Sequence, residues 1–390
     1  MNIGIFAGFL RPHQSGVVVS VETRAKHLQA AGHKVTIFTP KVKGYKDKGD
    51  FPVVRLPSVR IDKTKSFAKF WRWHSCCEKV KELEINRILV ESCYPTGFMG
   101  VWIAHTLGIP YFGVFHTNIE YYADYYLPRW LPGRVKSAIK NRVIPWALRY
   151  VYNRCQKVIA PSEEARRLLL NNGILPEKIL VLPTPIDIPD GLPTKERARL
   201  DYGYPLDAKI IICVCRIGPE KNLKMLIGAL SIIALSKRDF VFVLVGDGDY
   251  CDEVRRLINC VPGLMHRVSI TGFIPHKEVL RRLVAGDMFA FSSTGEIQGI
   301  AVQEAMGVGL PVVVTTGGAA SEAIISGVNG LVVPNSAEHL AKGILRFFDD
   351  PDFATKCGQN AIRTIKTQYG SEVIMKRFIE EFEAVTSSAK

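Results

Sequence analysis

The amino-acid sequence predicts an α/β fold built from two doubly wound domains, and three observations carry that expectation. Short apolar runs alternate with segments of helical period along the whole chain, the pattern of successive βαβ units. The alternation pauses once, where Pro183, Pro185 and Pro189 cluster around Thr184, Asp187 and Asp190, and then restarts. A chain of 390 residues is long for one core, and a 47% hydrophobic content supplies two. We therefore expect a first domain over 1–187, a second over 188–370, and a terminal helix over 371–390. No short-period repeat interrupts the pattern.

Ile3 to Phe6 makes the first strand, and the loop Gly8 to Gly16 leads to a helix from about Ser20 to Ala31. Val35 to Phe38 is the next strand, so the domain opens on a βαβ unit and a parallel sheet of Rossmann-like type. Gly16, at the strand-to-helix turn, lets backbone approach a phosphate or sugar, though an ordinary turn glycine reads the same way. No basic n-region and apolar h-region precede the first strand, so no signal peptide is expected. Gly97 to Phe115 is the most apolar long stretch, but His105, Gly108 and Pro110 divide it into helix, turn and strand rather than a membrane span. Lys157 to Ala160 reads as a strand, Pro161-Ser162-Glu163-Glu164 as a capped helix start, and Ile179 to Leu182 as a strand.

The second domain repeats the alternation. Strands are expected at Ile210–Cys215, Phe240–Val245, Val268–Thr271, Met288–Phe291 and Val312–Val314, and helices at Asn222–Leu235, Asp252–Asn259, Lys277–Ala285 and Ile300–Met306. Val373 to Val385 is the last segment of helical period.

The charge is unevenly distributed. The formal net charge is +14 and the pI about 9.3. Residues 1–187 hold 28 Lys and Arg against 14 Asp and Glu, whereas the rest of the chain holds 23 of each. A partner with a negative surface, whether membrane, nucleic acid or anionic substrate, therefore meets the first half. Two segments concentrate the excess. Arg55 to Lys81 has eight basic residues against Asp62 and Glu78, and Phe67, Phe70, Trp71 and His74 fall at i, i+3, i+4 and i+7, an aromatic stripe if the segment is helical, with Lys65, Lys69 and Arg72 off the stripe. Arg129 to Lys157 has eight basic residues and no acidic one; Trp130, Leu131, Ile139, Val143 and Trp146 interleave with Arg134, Lys136, Lys140 and Arg142. Each segment alone fits a core stripe with a solvated basic back. Two together fit a surface with rings in the headgroup layer and cations toward anionic lipid. Nine cysteines without a C-x-x-C pair fit reduced thiols in the cytosol and imply no zinc site; a lone redox-active cysteine stays open.

Most of the chemistry lies in Asp287 to Glu322. Glu296 sits in a loop and Glu304 inside the following helix, too far apart to share one proton and suited to gripping a long polar ligand at two places. Between them Gln298-Gly299-Ile300 opens the helix, a ready site for phosphate oxygens. Either carboxylate alone fits a bland role, Glu296 as a cap and Glu304 on a solvated face. Arg216 follows a strand and Lys221 stands five residues on, a fork and a point charge that suit a diphosphate. The alternative for Lys221 is a solvated first turn, where a cation opposes the helix dipole. His116 stands just past a strand end, where α/β ligand sites form, although a hydrogen-bonded loop histidine is the commoner fate. Gly246-Asp247-Gly248 is a turn; the G-x-G-x-x-G that a nicotinamide cofactor would want after the first strand is absent.

The two glutamates with seven residues between them, followed by Ala-Met-Gly and Gly-Leu-Pro-Val-Val, resemble the signature of retaining glycosyltransferases of the GT-B fold, the glycosyltransferase group 1 family. Arg216-Ile-Gly-Pro-Glu-Lys221 resembles that family's diphosphate-binding pair, Thr271-Gly272-Phe273-Ile274-Pro275 its base-reading loop, and Asn329-Gly330-Leu331-Val332 another of its turns. His116-Thr117 with Glu120 and nearby tyrosines is similar to bacterial enzymes that glucosylate diacylglycerol, and Ser15-Gly16-Val17, where many members have two glycines, resembles glycolipid-making members.

The resemblance implies a donor site of Gly16, Arg216, Lys221, Gly246, Gly272, Phe273, Ile274, Glu296, Gln298, Gly299, Ile300 and Glu304, with Glu304 on the ribose and Glu296 and His116 on the hexose. It implies a cleft between the domains and a terminal helix that crosses back to the first. Arg216, Lys221 and the helix amides would stabilise departing diphosphate, which itself takes the acceptor proton. Phe67, Phe70, Trp71, Glu120, Trp130, Lys136, Lys140 and Trp146 are the acceptor and membrane candidates. The expected partners are a nucleotide sugar, an anionic membrane surface and a lipid acceptor, on the cytoplasmic membrane face, with no nucleic acid, no required cofactor and no visible ligand cluster for a divalent ion. UDP-glucose is the first donor expectation and GDP-mannose, with phosphatidylinositol or another glycan as acceptor, the second. The oligomeric state stays open. A glycosidase would want two carboxylates close around one bond; a sugar-nucleotide epimerase or a nucleic-acid-binding protein are more distant readings.

Overall fold

The structure is a computed structural model that describes residues 1–384 apart from 14, 48, 50, 61–65, 70, 71, 129 and 237, and the backbone alone at 124 and 126. It divides into two compact units, Met1–Pro185 with Glu372–Lys390, and Ile186–Ser371. The division after Pro185 lies two residues before the expected one. By sequence the first unit carries 31 basic and 17 acidic residues and the second 20 of each, so the whole charge excess belongs to the first.

The strands of the first unit are β1 (Asn2–Phe6), β2 (Lys34–Pro40), β3 (Val53–Leu56), β4 (Ser58–Arg60), β5 (Ser66–Ala68), β6 (Arg87–Val90), β7 (Tyr111–Val114), β8 (Lys157–Ala160) and β9 (Ile179–Val181). Seven form a parallel sheet in the order β3-β2-β1-β6-β7-β8-β9, while β4 and β5 pair as an antiparallel hairpin. The second unit has β10 (Lys209–Val214), β11 (Phe240–Val245), β12 (Val268–Ile270), β13 (Met288–Phe291), β14 (Val312–Thr315) and β15 (Leu331–Val333), all parallel in the order β12-β11-β10-β13-β14-β15. Helices cover both faces of such sheets, which is why β7, β13 and β14 are buried at every position and read as unbroken apolar runs. Each strand order reverses once, at β1/β6 and at β10/β13, and the carboxyl ends at those points are where doubly wound folds hold ligands.

The last helix, Ser371–Ala384, contributes Phe378 and Phe382 to the core of the first unit, beside Ile3, Val21, Leu28 and Phe112. Phe382 meets Phe112 edge-on at 4.9 Å, and the Arg24 guanidinium lies 5.5 Å from the Phe378 ring centre.

Three expectations are corrected. The first helix begins at Gly16 rather than Ser20; the β-branched run Val17-Val18-Val19 has a lower helix propensity, but Val18 and Val21 are buried and that packing overrides propensity. Phe67 lies on β5, and the helix begins only at Trp73, so the aromatic stripe is not one helix face; the alternation of buried Ser66, exposed Phe67 and buried Ala68 is the period of a strand. Phe70, Trp71 and Lys65 lie outside the described residues. Lys221 ends a 3-10 turn, Pro219–Lys221, and the helix starts after it at Leu223.

Candidate active site

In the second unit, Arg216, Lys221, Gly246, Gly272, Glu296 and the helix Ile300–Gly307 all follow the carboxyl ends of their strands. Ser292, just after β13, ties the loop after β10 to its own strand end: its Oγ donates to the carbonyls of both Lys221 and Asn222, each at 3.1 Å. Asn222 has a left-handed backbone, φ 52°, a conformation among non-glycine residues that asparagine tolerates well. Lys221, 8% exposed, points its Nζ at Glu296 Oε1 from 2.5 Å, and Ser293 Oγ donates to the same oxygen at 2.9 Å. Burial works against the Glu296 charge, yet Lys221 beside it, with Ser293 and Arg216, holds the carboxyl below its ordinary range. The solvated-turn alternative for Lys221 is thereby excluded. Arg216 remains 44% exposed at its side chain and bonds the buried Glu220 at 2.5 Å.

Glu296 does not cap the helix. The capping position is Gly299, at φ 80° and ψ 48°, with no side-chain cap. A Cβ there would lie 2.6 Å from Ala320 Cα, so only glycine fits. Gln298 turns its side chain inward, Nε2 donating to Gln303 Oε1 at 2.7 Å, and the first amides of the helix, Ile300 among them, have no partner within the helix itself. Glu304 is buried rather than on a solvated face, and His276, first residue of the helix His276–Val284, holds its Oε1 at 2.6 Å. That hydrogen bond raises the His276 pKa against the effect of burial, and Asp187 adds to the rise. His276 was not singled out in the sequence. Gly246 bridges to Gly272, and a Cβ on Gly246 would fall 1.9 Å from the Cys215 carbonyl oxygen, so the loops after β10, β11 and β12 close against one another. Phe273 is 52% exposed, and Ile274 packs against the core.

In the first unit, Gly16 opens the helix after β1, and His116 follows β7. His116 Nε2 bonds Glu91 Oε2, and Arg24 Nη1 bonds Glu91 Oε1 at 2.7 Å. Neither Arg24 nor Glu91 was anticipated, because their partners stand 67 and 25 residues away in sequence. Glu120 lies in the first turn of the helix Ile119–Tyr126, capped by Asn118. Phe67 stacks near Tyr94 and Phe9, at 5.8 and 6.2 Å, around the carboxyl ends of β1 and β6.

The second basic segment is helical from Gly133 to Tyr152 through a π turn at Ile139–Val143, and none of residues 133–143, which include Lys136 and Lys140, is buried. Trp130 is 81% exposed and Trp146 56%. Trp146 stacks with Phe98 at 6.2 Å, Phe98 lies one helical turn from Trp102 on Pro95–Leu107, and Trp102 meets Trp73 at 6.0 Å, so an aromatic row crosses three helices. The i, i+4 spacing of Phe98 and Trp102 was the sequence signal for this row.

Two parallel, doubly wound units with these motifs at their strand ends define the GT-B class of enzyme. Residues 194–364 match the profile of glycosyl transferases group 1 and residues 14–189 that of Glycosyltransferase Family 4. The chain thus belongs to the group 1 glycosyltransferases and is a hexosyltransferase. It is 28% identical over 320 residues to the alpha-monoglucosyldiacylglycerol synthase of Streptococcus pneumoniae (80% of this chain, 70% of that protein), and 26% identical over 396 residues to the enzyme of the same name from Acholeplasma laidlawii (96% and 95%). Its fold is similar to that of Anabaena Alr3699/HepE, solved in complex with UDP and glucose, with a TM-score of 0.78 at 21% identity over 99% of this chain and 100% of that one.

Proposed function

We propose that the protein transfers glucose from UDP-glucose, with retention, to a membrane lipid of the 1,2-diacylglycerol kind. The observation that carries the lipid reading is the surface of the first unit: a basic helical stretch with no buried residue, beside exposed Trp102, Trp130 and Trp146, on the unit that holds all of the +14. The stretch 133–143 buries no residue, whereas Ile144, Leu148, Val151 and Tyr152 anchor the rest of the same helix, and its cations beside interfacial aromatics match an anionic bilayer. The names of the synthases from Streptococcus pneumoniae and Acholeplasma laidlawii support the same acceptor.

The second unit takes the donor. Charge builds on the diphosphate as the glycosidic bond breaks; Lys221, already buried and desolvated, transfers its pairing from Glu296 to phosphate oxygen, Arg216 adds its fork, and the helix opening at Ile300 adds amides. Glu304 accepts hydrogen bonds from the ribose hydroxyls, held in place by His276. Glu296, freed from Lys221, and His116 take the hexose hydroxyls. The leaving phosphate removes the acceptor proton, so the reaction needs no separate carboxylate base.

The test offers UDP-glucose, UDP-galactose and GDP-mannose to protein with vesicles containing diacylglycerol or phosphatidylinositol, and identifies the product and its anomer. An α-glucosyl lipid from UDP-glucose is expected. Transfer only to a water-soluble acceptor, or a β-linked product, overturns the reading, and a mannosyl phosphatidylinositol would replace it. Sedimentation should follow anionic and not neutral vesicles, and fall when Trp130 and Trp146 become Ala with Lys136 and Lys140 changed to Gln.

A further inference from the structure

Glu91 extends β6 by one residue, its amide donating to the Phe6 carbonyl at 3.0 Å, and so stands at the β1/β6 reversal of the first sheet. It is 1% exposed, and Arg24, which reaches it from the helix Gly16–Ala30, is 2% exposed. Removing two charges from water is costly, and a buried Arg–Glu pair is weak support for stability, so this one calls for a particular use. Its other oxygen supplies that use, since it holds the ring of His116, whose side chain is 9% exposed.

We infer that Glu91, clamped by Arg24, is a positioning residue that fixes the tautomer of His116, tying Nε2–H to the carboxylate and presenting Nδ1 to the substrate. The inference rests on the proposal that His116 contacts the donor hexose. An ionised carboxylate only accepts hydrogen bonds, so the hydrogen in the Glu91–His116 contact belongs to the ring. A neutral ring that carries its hydrogen on Nε2 has its lone pair on Nδ1, and no described residue bonds Nδ1. The ring is thereby aimed as a hydrogen-bond acceptor, suited to a sugar hydroxyl and unsuited to a carbonyl or phosphate oxygen. Arg24 keeps the carboxylate from rotating: with Oε1 held at 2.7 Å, only Oε2 is available to the ring. The trio comes from a helix, a strand end and a loop of one unit, so the ring is oriented before any substrate arrives.

The test begins with the unaltered protein. In 15N spectra of histidine-labelled chain, the ring signals missing from His116→Ala belong to His116, and for the neutral ring they should show protonated Nε2 and bare Nδ1. The opposite tautomer overturns the inference whatever the activity. Glu91→Gln keeps the volume but lets an amide N–H face the ring; the ring should move toward Nδ1–H, and kcat should fall roughly 10²- to 10⁴-fold with donor KM little altered. Added to His116→Ala, Glu91→Gln should cost nothing more, because Glu91 acts through the ring. Full activity in His116→Ala refutes the proposed role of His116, while the spectra of the unaltered protein still judge Glu91. A collapsed His116→Ala beside an unimpaired Glu91→Gln with an unchanged tautomer refutes the inference alone.

Discussion

Gly299→Ala should separate donor binding from folding in the second unit. Two costs follow from the structure. A left-handed backbone costs a non-glycine residue about 1–2 kcal/mol, and φ here is 80°. The new Cβ would also lie 2.6 Å from Ala320 Cα and 2.8 Å from Ala320 Cβ. Contact between carbon atoms is comfortable near roughly 3.5–4.0 Å, so helix start and loop must part by about 1 Å. That movement reaches Glu296, because the Ala319 amide donates to the Glu296 carbonyl at 3.1 Å. A misplacement of about 1 Å costs about 10²-fold in rate, on top of about 1–3 kcal/mol of overpacking. UDP affinity by calorimetry, initial rates and thermal melts measure the three effects. Gly343→Ala is the control: its Cβ would crowd Val313 Cγ1 at 2.7 Å, without a left-handed backbone, and should lower the melting temperature while UDP binding persists. Normal UDP affinity and turnover in Gly299→Ala would refute the assignment of this helix opening to the diphosphate.

Lys221→Met leaves the Glu296 carboxylate, 19% exposed at its side chain, without its nearest cation, which should cost about 1–3 kcal/mol of stability and lower kcat about 10²- to 10³-fold; adding Glu296→Gln should recover the melting temperature but not the turnover. Phe382→Ala removes a ring that is 1% exposed, and should cost about 3–5 kcal/mol, seen in hydrogen exchange as loss of protection in the sheet of the first unit. His276 gives a pH signature. Its pKa is raised above 6.5 by Glu304, so the stabilisation is complete below 6.5 and is lost as pH rises through the raised value. Melting temperature followed upward from pH 6.5 should therefore fall more in the unaltered protein than in His276→Gln.

What was legible in the sequence was what is local. Glu296, Gly299 and Glu304 lie within nine residues, and Arg216 and Lys221 within six, so spacing alone brought each group together. The alternation of strands and helices gave both sheets, since a strand covered on two faces reads as an apolar run. Long-range partners left no trace: Arg24 in a helix and Glu91 at the end of an apolar strand meet only because β1 and β6 are neighbours in the sheet. Phe67 was misread because ring spacing fits a helix while the hairpin partner Val59, which sets the strand, lies eight residues back. His276 escaped because nothing near it in sequence foretells Glu304.

The terminal helix has a consequence for biosynthesis. Phe378 and Phe382, with Ile374 and Met375 of the same helix, complete a hydrophobic core whose remaining members, Ile3 and Val21 among them, are made before the second unit. Domains usually fold in the order in which they are made. Here the earlier-made lobe must wait as an unfinished nascent intermediate while the later one, whose residues are contiguous, can already close.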